Sequence, residues 1–320
     1  MQAQDYAGAK WGLGMRLPGA TDAAVERAFD RGEMLRTHVL RPTWHFVAPA
    51  DIRWLLTLTA PRVHAANAYM YRKLALDPGT FRRSSARLAK ALAGGRHLTR
   101  DELRVVLEGI GIATDLERMA YLLMHAELEG LICSGPRRGK QFTYALLDER
   151  AAPAKALTRP EALVTLARRF FRSRGPATAH DFANWSGLTV ADARAGLEGA
   201  GAKLNHEVMN GVTYWSGRAQ RRPRVSRAFA HLLSVYDEYL SGYKDRGAII
   251  SPRHAARLRK MGNAGIYVVA VNGMIVGYWN RAFGRGTVVI TTHLFKRLAR
   301  PERLALSAAL RRYRAFLEVD

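Results

Sequence analysis

Residues 99–147, TRDELRVVLEGIGIATDLERMAYLLMHAELEGLICSGPRRGKQFTYALL, decide the fold. Thr99 is a good N-cap for the amphipathic stretch that follows it, and Thr114 or Asp115 opens a second stretch with apolar residues at about 3.6-residue spacing. Two strand-like runs come next, around a turn rich in glycine, proline and arginine. Two helices and a basic β-hairpin in this order predict a winged helix, which we place at residues 99–150. The predicted wing carries three cations, which we expect to be exposed and to contact phosphates or a groove: Arg137, Arg138 and Lys140.

The same order recurs in residues 151–217. PEALVTLARRFFRSRG, TAHDFANWSG and TVADARAGLEGAG each have a helical pattern, and KLNHEVMNGVTYWSG predicts a hairpin with its turn at Asn210 and Gly211. We therefore expect another winged helix there. Residues 1–48 predict a partial N-terminal copy, in which DAAVERAFDRGEML is helical and RTHVLRPTWHFV holds two short β-prone runs around Arg41 and Pro42. The leading helices of this copy are expected to be short or missing.

The remaining segments predict connecting helices and a different C-terminal domain. Residues 49–98 contain two long helical patterns, which would connect and orient the units. Residues 218–320 begin with an arginine-rich linker and continue with alternating β-patterns and a final helix, PERLALSAALRRYRAFLEV. The linker would be a phosphate-binding arm through Arg221, Arg222 and Arg224. The fold class is therefore α+β: tandem winged-helix units with a small β-rich C-terminal domain.

The charge balance points to a polyanionic partner. Fifty Lys and Arg residues against 27 Asp and Glu residues give a formal net charge of +23. A preference for arginine over lysine in GC-rich genomes explains which cation is used, but it does not explain an excess of cations over anions. Nucleic acid is the leading partner, with the ribosome, a membrane surface or an acidic protein as alternatives. No particular protein partner is indicated.

Cysteine content and the N-terminal sequence bear on the cellular compartment. The single cysteine, Cys133, excludes an intrachain disulfide and a thiolate-rich zinc site, and we interpret it as a small core residue. No segment resembles a signal peptide or a membrane span. We expect a cytoplasmic protein that does not bind a membrane.

Gln2 and Gln4 are the candidate catalytic residues. Asp5 is a good N-cap for YAGAKWGLGMR, so the helix can begin after the glutamines and leave both carboxamides projecting together from an extended entry. Each carboxamide offers one acceptor oxygen and two N–H donors, which is enough to orient a water molecule beside a sugar carbon. A Gln-x-Gln sequence at a chain terminus is otherwise commonly disordered.

The segment RTHVLRPTWHFV concentrates polar and aromatic side chains that could support such a site. Strand alternation makes Trp44 and Phe46 core residues and places Thr43 and His45 together on the other face. His45 could orient or stabilise a phosphate or a flipped nucleotide. As metal ligands, His38 and His45 lack a carboxylate or thiolate at ligand spacing, so no metal is predicted. The supporting candidates from this segment are Arg41, Thr43 and His45.

Asp237 and Glu238, in SVYDEYLSGYKDR, are the acidic candidates. Either could be a general base or could pair with Arg246, and we count Asp237 among the supporting residues. No Ser-His-Asp order, phosphate loop or dinucleotide fingerprint occurs, so no cofactor is predicted.

Read together, MQAQDYAGAKWGLGMR, RPTWHFVAPADIRWLLTLTAPRV, the central winged-helix pattern and VYDEYLSGYKDR resemble the bacterial winged-helix DNA glycosylases, the AlkZ-like and YcaQ-like family. The resemblance covers nearly the whole chain. It implies tandem winged helices, a C-terminal β-barrel-like domain, and a monofunctional glycosylase that removes N-alkylpurines or unhooks interstrand crosslinks. The family's catalytic Gln-x-Gln or Gln-x-Asp motif falls on Gln2 and Gln4.

Two further expectations follow from the resemblance. Family members usually carry several tens of residues before the glutamine motif, so helices ahead of Gln2 are expected to strengthen the site. The expected partner is damaged double-stranded DNA. The alternative from another class is a winged-helix regulator or architectural protein that binds DNA without chemistry, since winged helices serve both roles.

Overall fold

The structure, a computed structural model, describes residues 1–154, 156–218, 227–261 and 266–318. Within these ranges, helices and antiparallel strands are mixed along the chain, which confirms the α+β class. None of the helices in the described ranges combines the length and apolar character that crossing a bilayer requires.

The N-terminal segment contains two helices of nine residues each and one hairpin. Thr21 caps the second helix. The hairpin turns at Leu40, whose φ is +66°, so the turn lies just before the predicted Arg41 and Pro42, and both of these belong to the second strand. The elements are α1 (Tyr6–Gly14), α2 (Asp22–Asp30), β1 (Leu35–Val39) and β2 (Arg41–Val47).

The connecting helices and the central unit match their predicted order. Thr99 and Glu102 form a reciprocal capping box at the start of α5, and Asp115 caps α6. A short extra strand, β3, joins the central sheet in the order β3-β5-β4. The elements are α3 (Pro49–Lys73), α4 (Pro78–Leu92), β3 (Leu98–Thr99), α5 (Arg100–Glu108), α6 (Leu116–Leu128), β4 (Ile132–Ser134), β5 (Thr143–Leu146) and α7 (Leu147–Arg150).

The next unit has the three predicted helices and the predicted hairpin. The hairpin turns at Asn210 and Gly211, both with positive φ, as a two-residue Asn-Gly turn requires. The elements are α8 (Arg159–Arg174), α9 (Ala179–Ser186), α10 (Val190–Ala200), β6 (Leu204–Met209) and β7 (Val212–Gly217).

The C-terminal segment forms a four-stranded sheet in the order β11-β10-β9-β8. Among the described residues β8 and β11 are edges, so the sheet is open and the expected barrel-like closure is wrong. The physical reason is that α1 and α13 cover one face, where Trp11, Trp279 and Tyr313 pack together. The elements are β8 (Ala230–Leu233), α11 (Glu238–Ser241), α12 (Pro252–Lys260), β9 (Val268–Val271), β10 (Met274–Phe283), β11 (Val288–Leu294) and α13 (Arg300–Leu317).

The hydrophobic clusters cross the predicted unit boundaries. The largest cluster joins β1 and α3 to α8, α9 and α10, while a second joins α1 to the C-terminal sheet and α13. The N-terminal segment is therefore held between helices α3, α8, α9 and α10 on one side and the C-terminal sheet and α13 on the other, and this position fixes the candidate site.

Candidate active site and nucleic-acid surface

The first residues of the chain lie extended along β2. The Ala3 N–H donates to the Trp44 carbonyl at 2.7 Å, and the Phe46 N–H donates to the Met1 carbonyl at 2.7 Å, so that Gln2 lies opposite His45. Asp5 then caps α1 by accepting from the Gly8 N–H at 3.2 Å. The extended entry followed by a capped helix is confirmed.

The alternating direction of side chains along the extended segment and β2 places the candidate residues on one face. Ala3 is fully buried in an apolar cluster with Tyr6, Phe29 and Phe46. Because neighbours in an extended chain point to opposite sides, the residues flanking Ala3 face the other way, and residues paired across two strands share a face. The face opposite Ala3 thus carries five of the predicted site residues: Gln2, Gln4, Arg41, Thr43 and His45.

Both glutamine carboxamides are held through their oxygens. The Arg41 guanidinium donates to Gln2 Oε1 at 3.1 Å, and the Trp44 N–H donates to Gln4 Oε1 at 3.3 Å. Gln2 is buried and Gln4 is exposed. Within the described ranges, neither side-chain NH₂ group has a protein partner, so both keep two donors for a water molecule or a substrate.

Glu238 holds the extended N-terminal segment through the backbone of Gln2. Its Oε1 accepts from the Gln2 backbone N–H at 3.1 Å, and its Oε2 accepts from the Trp185 indole at 2.9 Å and from the Arg174 guanidinium. Burial alone would raise the pKa of Glu238, but the amino group of Met1 and the Arg174 guanidinium outweigh burial and hold this pKa well below its ordinary value. Glu238 is therefore a buried, ionised anchor.

Asp237 and Glu238 form ion pairs, but the expected partner, Arg246, is wrong. Asp237 accepts two hydrogen bonds from Arg16, at 2.8 and 2.9 Å, and Glu238 pairs with Arg174. Arg246 instead donates to the Leu240 carbonyl at 3.0 Å. Residue spacing alone does not distinguish among arginines that lie far from Asp237 and Glu238 along the chain.

His45 supports the site from the interior. It is 1% exposed, its Nδ1 lies 2.9 Å from the Thr43 carbonyl, and its Nε2 is buried with no protein partner among the described residues. Burial, reinforced by the amino group of Met1 and by Arg41, lowers the pKa of His45 to about 3. The imidazole is therefore neutral near pH 7, and its burial argues against the predicted direct contact with a phosphate.

His38 occupies the opposite face of the hairpin. Its Nδ1 contacts the Glu127 carboxylate, and its ring lies 4.3 Å from the Trp44 ring. His38 and His45 therefore lie on opposite faces of the hairpin and do not converge on one point. Cys133 is fully buried, and burial raises the pKa of its thiol to about 12, as expected of a core residue.

The three predicted wing cations differ in their surroundings. Arg137 is mostly buried against the Tyr6 and Phe142 rings and pairs with Glu26 at 3.3 Å. Arg138 is half exposed and donates to Glu102 at 2.7 Å. The Lys140 ammonium is exposed and has no partner in the described part of the chain. Arg137 is therefore not the exposed hairpin charge that was expected.

The predicted phosphate-binding arm, Arg221, Arg222 and Arg224, lies outside the described residues. The structure also contains a basic groove that the sequence analysis did not predict, between α8 and the base of the β6–β7 hairpin. Arg168, Lys203 and Arg218 line it without a carboxylate partner among the described residues. The run of arginines along α8 is visible in the sequence. The helical pattern does not show, however, that these arginines lie beside the β6–β7 hairpin.

Comparisons with known proteins agree over almost the whole length. Residues 1–316 match the family described as DNA glycosylase AlkZ-like. The interstrand DNA cross-link repair glycosylase of Streptomyces sahachiroi is 24% identical over 298 residues, which span 87% of this chain and 79% of that protein. The solved structure of the Streptomyces sahachiroi DNA glycosylase AlkZ has the same fold, with a TM-score of 0.81 at 22% identity, over 100% of this chain and 88% of that one.

Proposed function

The chain belongs to the AlkZ-like DNA glycosylase family, and on this premise we propose that it hydrolyses the N-glycosidic bond of cationic N-alkylpurines in double-stranded DNA. The observation that carries the proposal is the fixed, extended Gln2–Ala3–Gln4 segment, with both carboxamides on one face and their NH₂ groups without protein partners in the described ranges.

The glutamines bind and orient the attacking water. Arg41 and the Trp44 N–H hold the two carboxamide oxygens, which leaves the amide donors to position a water molecule near C1′ of the damaged nucleotide. Holding a reactant at near-attack distance removes much of the entropic cost of a bimolecular step. Each carboxamide oxygen keeps a second lone pair beside the hydrogen bond that it accepts, and this negative end of the amide dipole can stabilise the oxocarbenium-like charge that develops on the sugar.

Weak catalytic groups suffice for this class of substrate. Alkylation at N7 or N3 places a positive charge on the purine, so the C1′–N bond breaks with both electrons going to the base, which leaves as a neutral molecule. The water adds to C1′ and loses a proton to solvent, which completes the hydrolysis. Glu238 is saturated by its hydrogen bonds, and its part is to fix Gln2.

DNA binding is assigned to the helix and hairpin units. We place winged helices at residues 99–150 and 151–217, where two or three helices precede each hairpin. Exposed cations at Lys140 and in the groove of Arg168, Lys203 and Arg218 contact phosphates. A phosphate-binding role for Arg221, Arg222 and Arg224 rests on their sequence alone. Binding through phosphates carries little sequence preference and weakens as salt rises.

The substrate range extends to interstrand crosslinks. The Streptomyces sahachiroi relative is named as a cross-link repair glycosylase, and a crosslink through N7 of a purine presents the same cationic leaving group. Unhooking one strand is then the same bond cleavage as the removal of a monoadduct.

The test is incubation of the purified protein with a duplex that carries one N7-methylguanine. Release of free 7-methylguanine, with the sugar-phosphate strand intact until alkali treatment, is the expected result for a monofunctional glycosylase. An undamaged duplex of the same sequence is the control and should lose no base. Tight, sequence-selective, salt-insensitive binding without base release would support a regulator instead.

A further inference from the structure

Helices α3 and α6 bring together two histidines and a glutamate away from the glutamine site. His64 lies on α3, His125 lies on α6, and Glu129 is the C-cap residue of α6. His64 Nε2 lies 3.0 Å from Glu129 Oε1, and one nitrogen of each ring and one carboxylate oxygen all lie within 4.8 Å of one another. The four-residue spacing of His125 and Glu129 puts both on one side of α6.

The surroundings of this cluster are those of metal ligands. His64 Nδ1 lies 2.9 Å from the Tyr71 hydroxyl, a contact that fixes the ring and leaves Nε2 to face Glu129. His125 stacks on Phe81 with ring centroids 3.8 Å apart, and its Nδ1 is buried without a protein partner within the described residues. A ligating histidine commonly has its other ring nitrogen held by such a neighbour.

We infer that His64, His125 and Glu129 bind one divalent transition-metal ion of the zinc class. Two imidazole nitrogens and one carboxylate oxygen suit zinc, which binds such atoms at about 2.0–2.2 Å in tetrahedral geometry. Ligand atoms in that geometry lie about 3.4 Å apart, so the exposed Glu129 side chain and the rings close in by about 1 Å. Water from the adjoining groove, which His64 and Glu129 line, supplies the fourth ligand.

The buried Nδ1 of His125 favours this binding, because no protein group in the described part of the chain satisfies it and the ligand atoms of all three residues lie close together. The competing interpretation is an ordinary ion pair between His64 and Glu129, which leaves the buried His125 nitrogen without a function.

The metal ion joins two helices rather than taking part in base excision. None of the three residues contacts Gln2 or Gln4 in the described structure. The same helix α6 carries Glu127, whose carboxylate contacts His38 on β1. A metal between α3 and α6 therefore stabilises the support on which the β1–β2 hairpin rests.

Titration of the chelator-treated full chain with Zn²⁺, followed by calorimetry and thermal unfolding, tests the site. We expect one equivalent to bind and Tm to rise by several degrees, and Co²⁺ to give the visible absorption bands of a tetrahedral site. Glu129→Gln, which changes an exposed side chain, should weaken Zn²⁺ binding by about tenfold or more. Tyr71→Phe should weaken it by a smaller factor.

His180→Gln, a change at an exposed histidine outside the cluster, is the matched control and should bind Zn²⁺ like the parent. If His125→Gln fails to fold, Glu129→Gln still tests whether the site binds Zn²⁺. Failure to bind one equivalent, or equal Zn²⁺ affinity in the parent and Glu129→Gln, would overturn the site. Base release from the 7-methylguanine duplex should persist in chelator, so the two proposals fail separately.

Discussion

The β1–β2 and β6–β7 hairpins have similar antiparallel pairing but opposite surroundings. All five residues of β1 are buried, whereas only the first of the six residues of β6 is buried. The β1–β2 hairpin lies against α3, α6 and β4 and is extended by Gln2, while β6–β7 contacts α8 mainly near its base. The neighbours that cover a hairpin, more than its own sequence pattern, decide what its polar residues do.

Several polar groups of the covered hairpin are paired, and this pairing builds the candidate site, although His45 Nε2 stays without a protein partner among the described residues. His38 contacts Glu127, Arg36 donates to the Ala3 carbonyl at 3.0 Å, and Arg41 donates to Gln2. Buried polar groups without partners are costly, so these contacts hold one geometry. The uncovered hairpin leaves Val208 and Met209 in solvent and tolerates change.

The largest expected loss of stability comes from Glu238→Gln, which removes the charge that anchors the covered segment. The Arg174 guanidinium would be left without its carboxylate, and we expect the free energy of unfolding to fall by about 3 kcal/mol. Denaturant titration measures it. Glu198→Gln, at an exposed residue, is the control and should stay close to the parent. A loss below about 1 kcal/mol for Glu238→Gln would show that the anchor is weak.

The covered hairpin should also be sensitive to acid through His45. Its pKa is about 3 when folded and about 6.5 when unfolded, so the unfolded chain takes up the proton first. Stability is therefore full above about pH 6.5 and falls as the pH drops towards 3. Between about pH 6 and about pH 5, protonation of His45 in the unfolded chain should lower the free energy of unfolding by about 1 kcal/mol.

His45→Gln should flatten that part of the stability curve, measured by denaturant unfolding at a series of pH values. His180→Gln, at an exposed histidine, should leave the curve unchanged. The same slope in His45→Gln as in the parent would mean that His45 is not the group that titrates.

The β4–β5 hairpin lies between the two extremes and contains both kinds of cation. Arg137→Ala removes a partly buried ion pair and two ring contacts, and should lower stability by about 0.5–1 kcal/mol. Lys140→Ala should leave Tm unchanged but reduce the slope of log affinity against log salt by about 1 in duplex binding. Identical DNA binding by Lys140→Ala and the parent would move the DNA surface elsewhere.

The smallest effect is expected at the uncovered hairpin. Met209→Ser changes a side chain that is 57% exposed and should alter the free energy of unfolding by less than about 0.5 kcal/mol. A larger loss in denaturant titration would indicate that Met209 is packed against another part of the protein and that the β6–β7 hairpin is not free in solvent.

The sequence predicted what local chemistry determines. The capping box of Thr99, the Asp5 cap that keeps Gln2 and Gln4 extended, and the Asn210–Gly211 turn all depend on residues a few positions apart. These features follow from hydrogen bonds within one turn of the chain, so pattern and spacing were enough.

What the sequence did not predict depends on residues far apart along the chain. The choice of Arg174 for Glu238 and of Arg16 for Asp237, and the burial of Arg137 on Tyr6, are set by packing of distant helices. The open C-terminal sheet was missed because closure of a barrel depends on strand order and cover, which β-patterns do not encode.

The rate of 7-methylguanine release by Gln4→Ala and Gln2→Ala, compared with Gln141→Ala at an exposed glutamine between β4 and β5, measures what the two carboxamides contribute to base excision. If the two carboxamides hold the attacking water, each site variant should be slower by about a hundredfold or more, while duplex binding and the Tm of Gln4→Ala, a change at an exposed residue, stay close to the parent. Gln141→Ala should release base at the parental rate. Parental rates of base release by the Gln2→Ala, Gln4→Ala double variant would show that the carboxamides do not hold the attacking water.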